Sequence, residues 1–202
     1  MPSIIKNTDS GSDFELIPTG THLATCVTVV NLGIQSGGQY APKPKHYIGF
    51  EVPSVRVKWT KDGVEHEGPG IIGSRYTSSL SKKAILRQQL ESWRGRAFTE
   101  QELEGFDLQV LLGKPCMISV VHTDDGKYAN IAAILGVMKG TEVPPPETPL
   151  LQYDPTDANA AAELAALPEW MQKLINSSLP EPTEPSPPPQ GDPNDFDDDI
   201  PF

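Results

Sequence analysis

Residues 46–59 read HYIGFEVPSVRVKW, and this stretch decides the fold. Apolar and polar residues alternate from Ile48 to Val52, which is the pattern of a strand with one buried face. Pro53 interrupts the alternation, and apolar residues return from Val55 to Trp59 with the opposite parity. A change of parity within one strand indicates a bulge or a sharp bend. We therefore predict one long, bent strand here, the second strand of the chain.

Further segments on both sides of this strand predict its neighbours. Thr21 to Leu32 is rich in Val, Thr and Cys and predicts a first strand, whereas the polar segment from Gly33 to Pro44 predicts a loop. Asp62-Gly63 is a strong hairpin turn. It predicts that Val64 to Thr77 returns beside the second strand, with a break at Gly68-Pro69-Gly70. The first half of the chain should thus supply three consecutive strands.

A helical region is predicted after the third strand. Ser81 is predicted to open a helix in which apolar residues recur at helical spacing, and Gly95 is placed to end this helix. The apolar stripe consists of Leu86, Leu90 and Trp93. Thr99 with Glu102 has the spacing of a capping box and predicts a second short helix, which Asp107 to Leu112 extends.

Two more strands complete the predicted domain. They are Pro115 to His122 and Tyr128 to Val137, with Asp124-Asp125-Gly126 as the turn between them. Three strands, a helical insert and two strands is the connectivity of an oligonucleotide-binding (OB) fold. We therefore predict a mainly β protein whose residues 1–140 form a five-stranded OB barrel, with the helical insert between strands 3 and 4.

The net charge of −11 is distributed unevenly along the 202 residues. Residues 1–140 carry a net charge of +1, whereas residues 141–202 carry −12. Within the first part, basic side chains outnumber acidic ones by five to one in residues 43–61 and by six to one in residues 73–98. These two segments would form a positive surface for nucleic acid if the fold brings them together.

Residues 141–178 predict a partly helical extension of the domain. Ala158 to Ala166 is an alanine-rich helical stretch, and a second short helix begins at Pro168. The apolar stripe around this second helix consists of Leu167, Trp170, Met171, Leu174 and Ile175. Two interpretations remain open: the helix packs back on the barrel, or it docks a partner with Trp170 as the anchor.

Residues 179–202 predict a disordered, acidic linker that ends in a docking peptide. The linker is rich in Pro, Glu and Gln and has no apolar run that could offset the entropy of folding. At the end, Ile200 and Phe202 can fill an apolar pocket while the α-carboxylate pairs with a basic side chain at its mouth. The predicted partner-binding residues are Asp195, Phe196, Asp197, Asp198, Asp199, Ile200, Pro201 and Phe202. The alternative is an acidic tail that only aids solubility.

The segment from Asp195 to Phe202 closely resembles the acidic tip of bacterial single-stranded DNA-binding proteins, where the tip follows a low-complexity linker after an OB domain. The chain lacks the opening pattern of the cellular members. Three segments instead resemble phage-encoded proteins assigned the same role: Glu91-Ser92-Trp93-Arg94-Gly95-Arg96, Leu112-Gly113-Lys114-Pro115 and Gly126-Lys127-Tyr128-Ala129-Asn130-Ile131. The resemblance implies a protein that coats exposed single-stranded DNA in the bacterial cytoplasm. Its tip would recruit replication, recombination or repair enzymes of the host or phage.

A binder of single strands needs aromatic platforms for the bases and cations along the phosphates. An OB barrel presents these groups on strands 2 and 3 and on the loops at their ends. The candidate nucleic-acid-binding residues are Lys45, Tyr47, Arg56, Lys58, Trp59, Arg75, Tyr76, Lys82 and Lys83. Trp59 shares the parity of Val57 and could instead fill the barrel, and Arg75 and Tyr76 cannot both face the same ligand on a regular strand.

The sequence contains no pattern typical of an enzyme or a cofactor site. The two cysteines and four histidines lack the spacing of metal ligands, so we predict buried, reduced thiols and no metal or cofactor. No signal peptide or membrane span is recognisable, which favours a cytoplasmic protein. Three alternatives remain: an adaptor that uses the tip without binding DNA, an OB protein that prefers duplex DNA or RNA, and a small nuclease. The sequence leaves open whether the chain forms a homo-oligomer.

Overall fold

The computed structural model describes residues 16–38, 40–61 and 63–180, except for the side chains of residues 59–61. Over these residues the protein is mainly β, as predicted, with one six-stranded sheet and a few helices. The strands are β1 (Gly20–Gly37), β2 (Tyr40–Lys61), β3 (Val64–Thr77), β4 (Pro115–His122), β5 (Ala129–Leu135) and β6 (Leu151–Tyr153). The helices are α1 (Ile85–Arg94), α2 (Glu100–Glu104), α3 (Ala160–Ala166) and α4 (Glu169–Asn176), and a 3₁₀ helix spans Leu108–Leu111.

The strands are hydrogen-bonded in the order β3-β2-β1-β4-β5, and all these neighbours are antiparallel. β1 is long enough to use two partners on one edge. β4 pairs with Gly20 to Thr25, and β6 pairs in parallel with Thr28 to Val30. β3 and β5, the last strands of this order, are in contact with each other. The sheet is therefore strongly curved.

The predicted irregularity in the second strand is confirmed. Val52 pairs with Gly70 of β3, but the next paired residue of β2 is Arg56, which lies opposite Pro69. The residues between them bulge out of the ladder, which explains the change of parity in the sequence. The predicted break of β3 at residues 68–70 is wrong. β3 runs through it because Pro69, which has no N–H to donate, lies where the register of β2 shifts.

The predicted loop at residues 33–44 is also wrong, because β1 and β2 continue through it as a ribbon. Gly33 pairs with Lys45 and Gly37 pairs with Tyr40, with register shifts along the way. Polar side chains suit this ribbon because much of it is exposed, so the alternation that marks a half-buried strand is missing.

Two of the local signals for helices, Gly95 and the capping box, are confirmed, whereas the predicted opening of α1 at Ser81 is wrong. Gly95 ends α1 with φ of 68°, a left-handed conformation that glycine adopts without steric cost. Thr99 and Glu102 form the predicted capping box at the start of α2. α1 begins at Ile85, four residues after Ser81, so Lys82 and Lys83 lie in the turn that precedes it.

The main core lies on the inner face of the curved sheet, where α1 covers it. Leu86, Leu90 and Trp93 of α1 are buried there, and the Trp93 indole donates to the Pro115 carbonyl at 2.9 Å. Cys26 and Cys116 are free thiols buried in the same core, as predicted. Burial raises the pKa of the Cys26 thiol to about 12, which keeps it protonated and unreactive.

A second core lies on the outer face of the sheet, and we call it the outer cluster. It consists of Val30, Leu32, Tyr153, Leu167, Met171 and Ile175. Residues from β6, α3 and α4 thus pack on β1, as the first interpretation of the extension predicts. The docking of a partner by Trp170 stays a prediction. The extension is fastened at its end, where the Leu179 N–H donates to the Ile34 carbonyl at 2.9 Å.

Candidate nucleic-acid interface

The outer face of β2 and β3 brings several predicted site residues together. Tyr47 of β2 lies opposite Arg75 of β3, and Lys45 lies opposite Thr77. Arg75 is exposed, whereas Lys45 and Tyr47 are half-buried. Because side chains alternate along a strand, Lys45 and Tyr47 project from the side opposite the buried Ile48. This patch combines an aromatic ring with cations.

Two glycines leave the space that the Tyr47 ring occupies on this face. Gly49 and Gly73 lie opposite each other on β2 and β3. A Cβ atom at Gly73 would lie 2.2 Å from the Tyr47 hydroxyl oxygen and 2.4 Å from Cζ. The ring therefore lies across Gly73, in space that any larger residue would fill. Burial raises the pKa of Tyr47 to about 12, so its hydroxyl is neutral.

Trp170 of α4 covers one edge of Tyr47. Their ring centroids are 5.3 Å apart and the ring planes meet at 77°, a favourable edge-to-face contact. Trp170 is 45% exposed, although Met171 and Ile175 of the same helix are buried. The sequence marked Trp170 as a member of an apolar stripe but gave no sign that it would meet Tyr47. Trp170 was not among the candidate nucleic-acid-binding residues.

Tyr76 does not belong to this surface, so its predicted role is corrected. It is only 5% exposed, and its hydroxyl donates to Gln89 Oε1 at 2.6 Å. Burial raises its pKa above the usual range for tyrosine. Since Arg75 and Tyr76 project to opposite faces, the exposure of Arg75 requires Tyr76 to enter the core.

Arg56 and Lys58 are exposed beyond the bulge, where they alternate with the half-buried Val55 and Val57. Arg56 is nevertheless occupied by two carboxylates. Its Nη1 donates to Glu147 Oε1 at 2.7 Å, and its Nε lies 3.5 Å from Glu67 Oε1. Glu147 and Glu67 thus form ion pairs with Arg56, which was predicted to contact phosphate. No local pattern indicated the contact with Glu147, which is distant in the sequence.

Glu51 attaches the segment that carries Glu147 to the outer face. This carboxylate is 1% exposed and accepts from the backbone N–H groups of Glu147 at 2.9 Å and Thr148 at 2.7 Å. Two N–H donors compensate for the loss of water around a buried carboxylate. Glu51 therefore anchors the segment around Glu147 and Thr148 to β2.

The structure describes the remaining predicted residues to different extents. Lys82 and Lys83 are exposed in the turn that follows β3. The backbone of Trp59 pairs with His66, but the Trp59 side chain is outside the description. The docking peptide at residues 195–202 also lies outside the described residues.

Among residues 16–38, 40–61 and 63–180, no group of three or more His, Cys, Asp or Glu side chains could hold a metal ion. No helix in the described part of the chain has the length and apolar character needed to cross a bilayer.

Neither of two comparisons with known proteins assigns the chain to a family. No protein-family model matches it, and no curated protein matches it. The functional interpretation therefore depends on the patch around Tyr47 and Arg75, and on the sequence resemblances described above.

Proposed function

We propose that this chain is a single-stranded DNA-binding protein of the phage-encoded kind, acting in the cytoplasm of a bacterial host. It coats and protects exposed strands through an OB-type barrel. Its C-terminal residues recruit replication, recombination or repair enzymes. Its role is binding and recruitment, without catalysis.

The observation that carries the proposal is the aromatic pair of Tyr47 and Trp170 beside Arg75. Bases of any sequence can stack on an exposed aromatic ring, and each stacked base contributes about 1–3 kcal/mol. Arg75 lies opposite Tyr47 on β3, Lys45 lies two residues before Tyr47 on β2, and Lys82 and Lys83 are exposed after β3, which supports a path for the phosphates of the same strand. A positive track with stacking platforms suits unpaired DNA, because a duplex hides the faces of its bases.

The strand arrangement supports an OB-type barrel. In chain order, three antiparallel strands precede α1 and α2, and two strands follow. β1 pairs with both β2 and β4, and β3 contacts β5. A curved sheet of this order has a small closed core and an outer face on β2 and β3 that is available to a ligand.

The test is a fluorescence titration of the full chain with a twelve-residue oligo-dT, over a series of salt concentrations. We expect quenching of tryptophan emission and an affinity that falls steeply with salt, because bound cations release counterions from the phosphates. Trp93 is buried and hydrogen-bonded, so the exposed Trp170 should contribute to the quenching.

Charge reversal locates the interface. The double variant Arg75→Glu, Lys82→Glu should bind at least tenfold more weakly, with a log–log salt slope shallower by roughly 1.4, the value for two lost phosphate contacts. The control, Lys114→Glu with Lys139→Glu, makes the same change of charge at two other exposed lysines. An equal loss in both variants would reject this interface, and an absence of oligo-dT binding by the unaltered chain would reject the function. Preferential binding of duplex DNA or RNA in a competition assay would also reject it.

A further inference from the structure

An open cavity of about 330 Å³ is lined by His46, the neighbour of Tyr47 in β2. Its other lining residues come from β1, α1, the end of β6, the segment after β3 and the region of the 3₁₀ helix. Its apolar floor contains Val29, Leu86, Phe106 and Leu108. A cavity of this size and character is at the lower end of the range for small-molecule sites, and is large enough for a single nucleobase.

Polar groups are arranged around the apolar floor. His46 Nδ1 and Ser78 Oγ form a hydrogen bond of 2.6 Å, and Asn31 Nδ2 donates to Asp154 Oδ2 at 3.5 Å. Asp107 also lines the cavity. Burial lowers the pKa of His46, so its ring is neutral near pH 7 and offers both a donor and an acceptor. The cavity therefore has fixed hydrogen-bonding groups as well as an apolar surface.

The charge of the lining selects the kind of ligand. Asp107 and Asp154 line the cavity, and no Lys or Arg does. Two carboxylates repel a phosphate but accept hydrogen bonds from amino and imino groups. Leu80 also lines the cavity, and the exposed Lys82 and Lys83 follow it closely in the chain. Phosphates are thus favoured outside the cavity and a base with N–H donors inside it.

We propose that this cavity holds one unpaired base that carries an amino group, with guanine preferred, from the strand bound on the neighbouring surface. This site rests on the proposed binding of single-stranded DNA and adds a base preference to it. Guanine presents two adjacent N–H donors on its Watson–Crick edge. Asp107 Oδ1 already accepts from the Gln109 N–H at 2.8 Å, but a carboxylate has about four acceptor sites, so both oxygens of Asp107 can pair with these donors. Thymine presents a single N–H between two carbonyls and fits this lining poorly. Proteins read extruded bases by this combination of edge hydrogen bonds and apolar contact.

The experiment compares fluorescence anisotropy of dye-labelled dT₁₂ with that of the same oligonucleotide carrying one central dG. The full chain should bind the dG oligonucleotide at least about fivefold more tightly, the lower limit for one well-paired base contact. Gln109 of the 3₁₀ helix also lines the cavity, so Gln109→Trp should fill it and remove this preference while leaving the affinity for dT₁₂ within threefold. Val110→Trp is the matched control, since Val110 is an exposed neighbour on the same 3₁₀ helix that does not line the cavity.

A second measurement separates this site from the general function. Guanosine, but not thymidine, should shift the NMR signals of the His46 ring in the unaltered chain and leave them unmoved in Gln109→Trp. If dT₁₂ is not bound but guanosine moves His46, the proposed function fails and the base site stands. If dT₁₂ is bound without discrimination and His46 does not respond, the base site is rejected and the function stands. Loss of the preference in Val110→Trp would likewise reject the cavity as its origin.

Discussion

The indole of Trp170 meets the ring of Tyr47 edge to face, with centroids 5.3 Å apart. This contact joins the C-terminal extension to the second strand of the sheet, two segments far apart in the sequence. It also places the half-exposed Trp170 ring beside a cationic strand. The extension therefore contributes Trp170 to the proposed interface and several apolar side chains to the outer cluster.

Trp170→Ala should weaken oligo-dT binding by roughly 5- to 100-fold, the equivalent of one lost stacking contact. Trp170→Phe keeps an aromatic face and should stay within about threefold of the unaltered chain. Both affinities are measured by anisotropy, and thermal unfolding shows whether α4 still packs. Equal affinity of the alanine and phenylalanine variants would show that Trp170 is not a platform.

Glu147→Gln should strengthen DNA binding by roughly two- to fivefold, because Arg56 would gain a phosphate contact. The backbone N–H of Glu147 would still donate to Glu51, so the segment should keep its place. Glu142→Gln removes the same charge from an exposed residue nearby and serves as the control. The affinities are compared at low salt. A matching gain in the control would attribute the effect to net charge and not to Arg56.

Gly73→Ala should destabilise the protein by about 1–3 kcal/mol, the usual cost of overpacking. The new Cβ would also lie 2.8 Å from the Ile48 carbonyl oxygen, so moving the Tyr47 ring relieves only part of the clash. Urea unfolding measures the loss. Gly105→Ala is a suitable control, since its backbone is extended and its Cβ would meet open space. Stability equal to that of the control would contradict the placement of Tyr47 across Gly73.

Lowering the pH should remove the contribution that the ion pairs of Glu102 with Arg94 and Arg96 make to the stability of the fold. Hydrogen bonds from Arg96, then from the Thr99 backbone and Arg94, lower the pKa of Glu102 to about 2. The unfolded chain holds this proton more tightly, with a pKa of about 4.3. The stabilisation is therefore present above about pH 4.5 and is lost as the pH falls towards 2.

Glu102→Gln should flatten the stability profile in this pH window, measured by urea unfolding at successive pH values. Glu104→Gln, on the exposed face of the same helix, should leave the profile unchanged. If the stability of Glu102→Gln still falls to the same extent in this pH window, groups other than Glu102 account for the loss.

Truncation after Pro180 should tighten oligo-dT binding, because the removed acidic residues would compete with DNA for the cations. This cut keeps Leu179, whose N–H bonds to Ile34. It should also abolish recruitment of host repair enzymes in a pull-down on immobilised DNA. Replacing residues 197–199 by Asn tests charge alone at full length. An unchanged or weaker affinity in both variants would refute the competition.

Several elements could be predicted from the sequence because their causes are local. The parity change around Pro53 indicated the bulge, Gly95 and the Thr99–Glu102 pair indicated helix ends, and periodicity placed Trp93 in the core. The loop predicted at residues 33–44 was wrong because much of this ribbon is exposed, so it lacks the alternation that marks a strand with one buried face.

The sequence by itself determined the mainly β class, the bulge, the helix caps and the exposure of Arg56 and Lys58, since these follow from periods and turns within a few residues. Only the tertiary structure decided what those side chains meet. Glu147 reaches Arg56, and Trp170 reaches Tyr47, because the extension folds back over β1 and β2. Such contacts depend on strand register and on the path of a distant segment. Neither leaves a signal in the residues nearby.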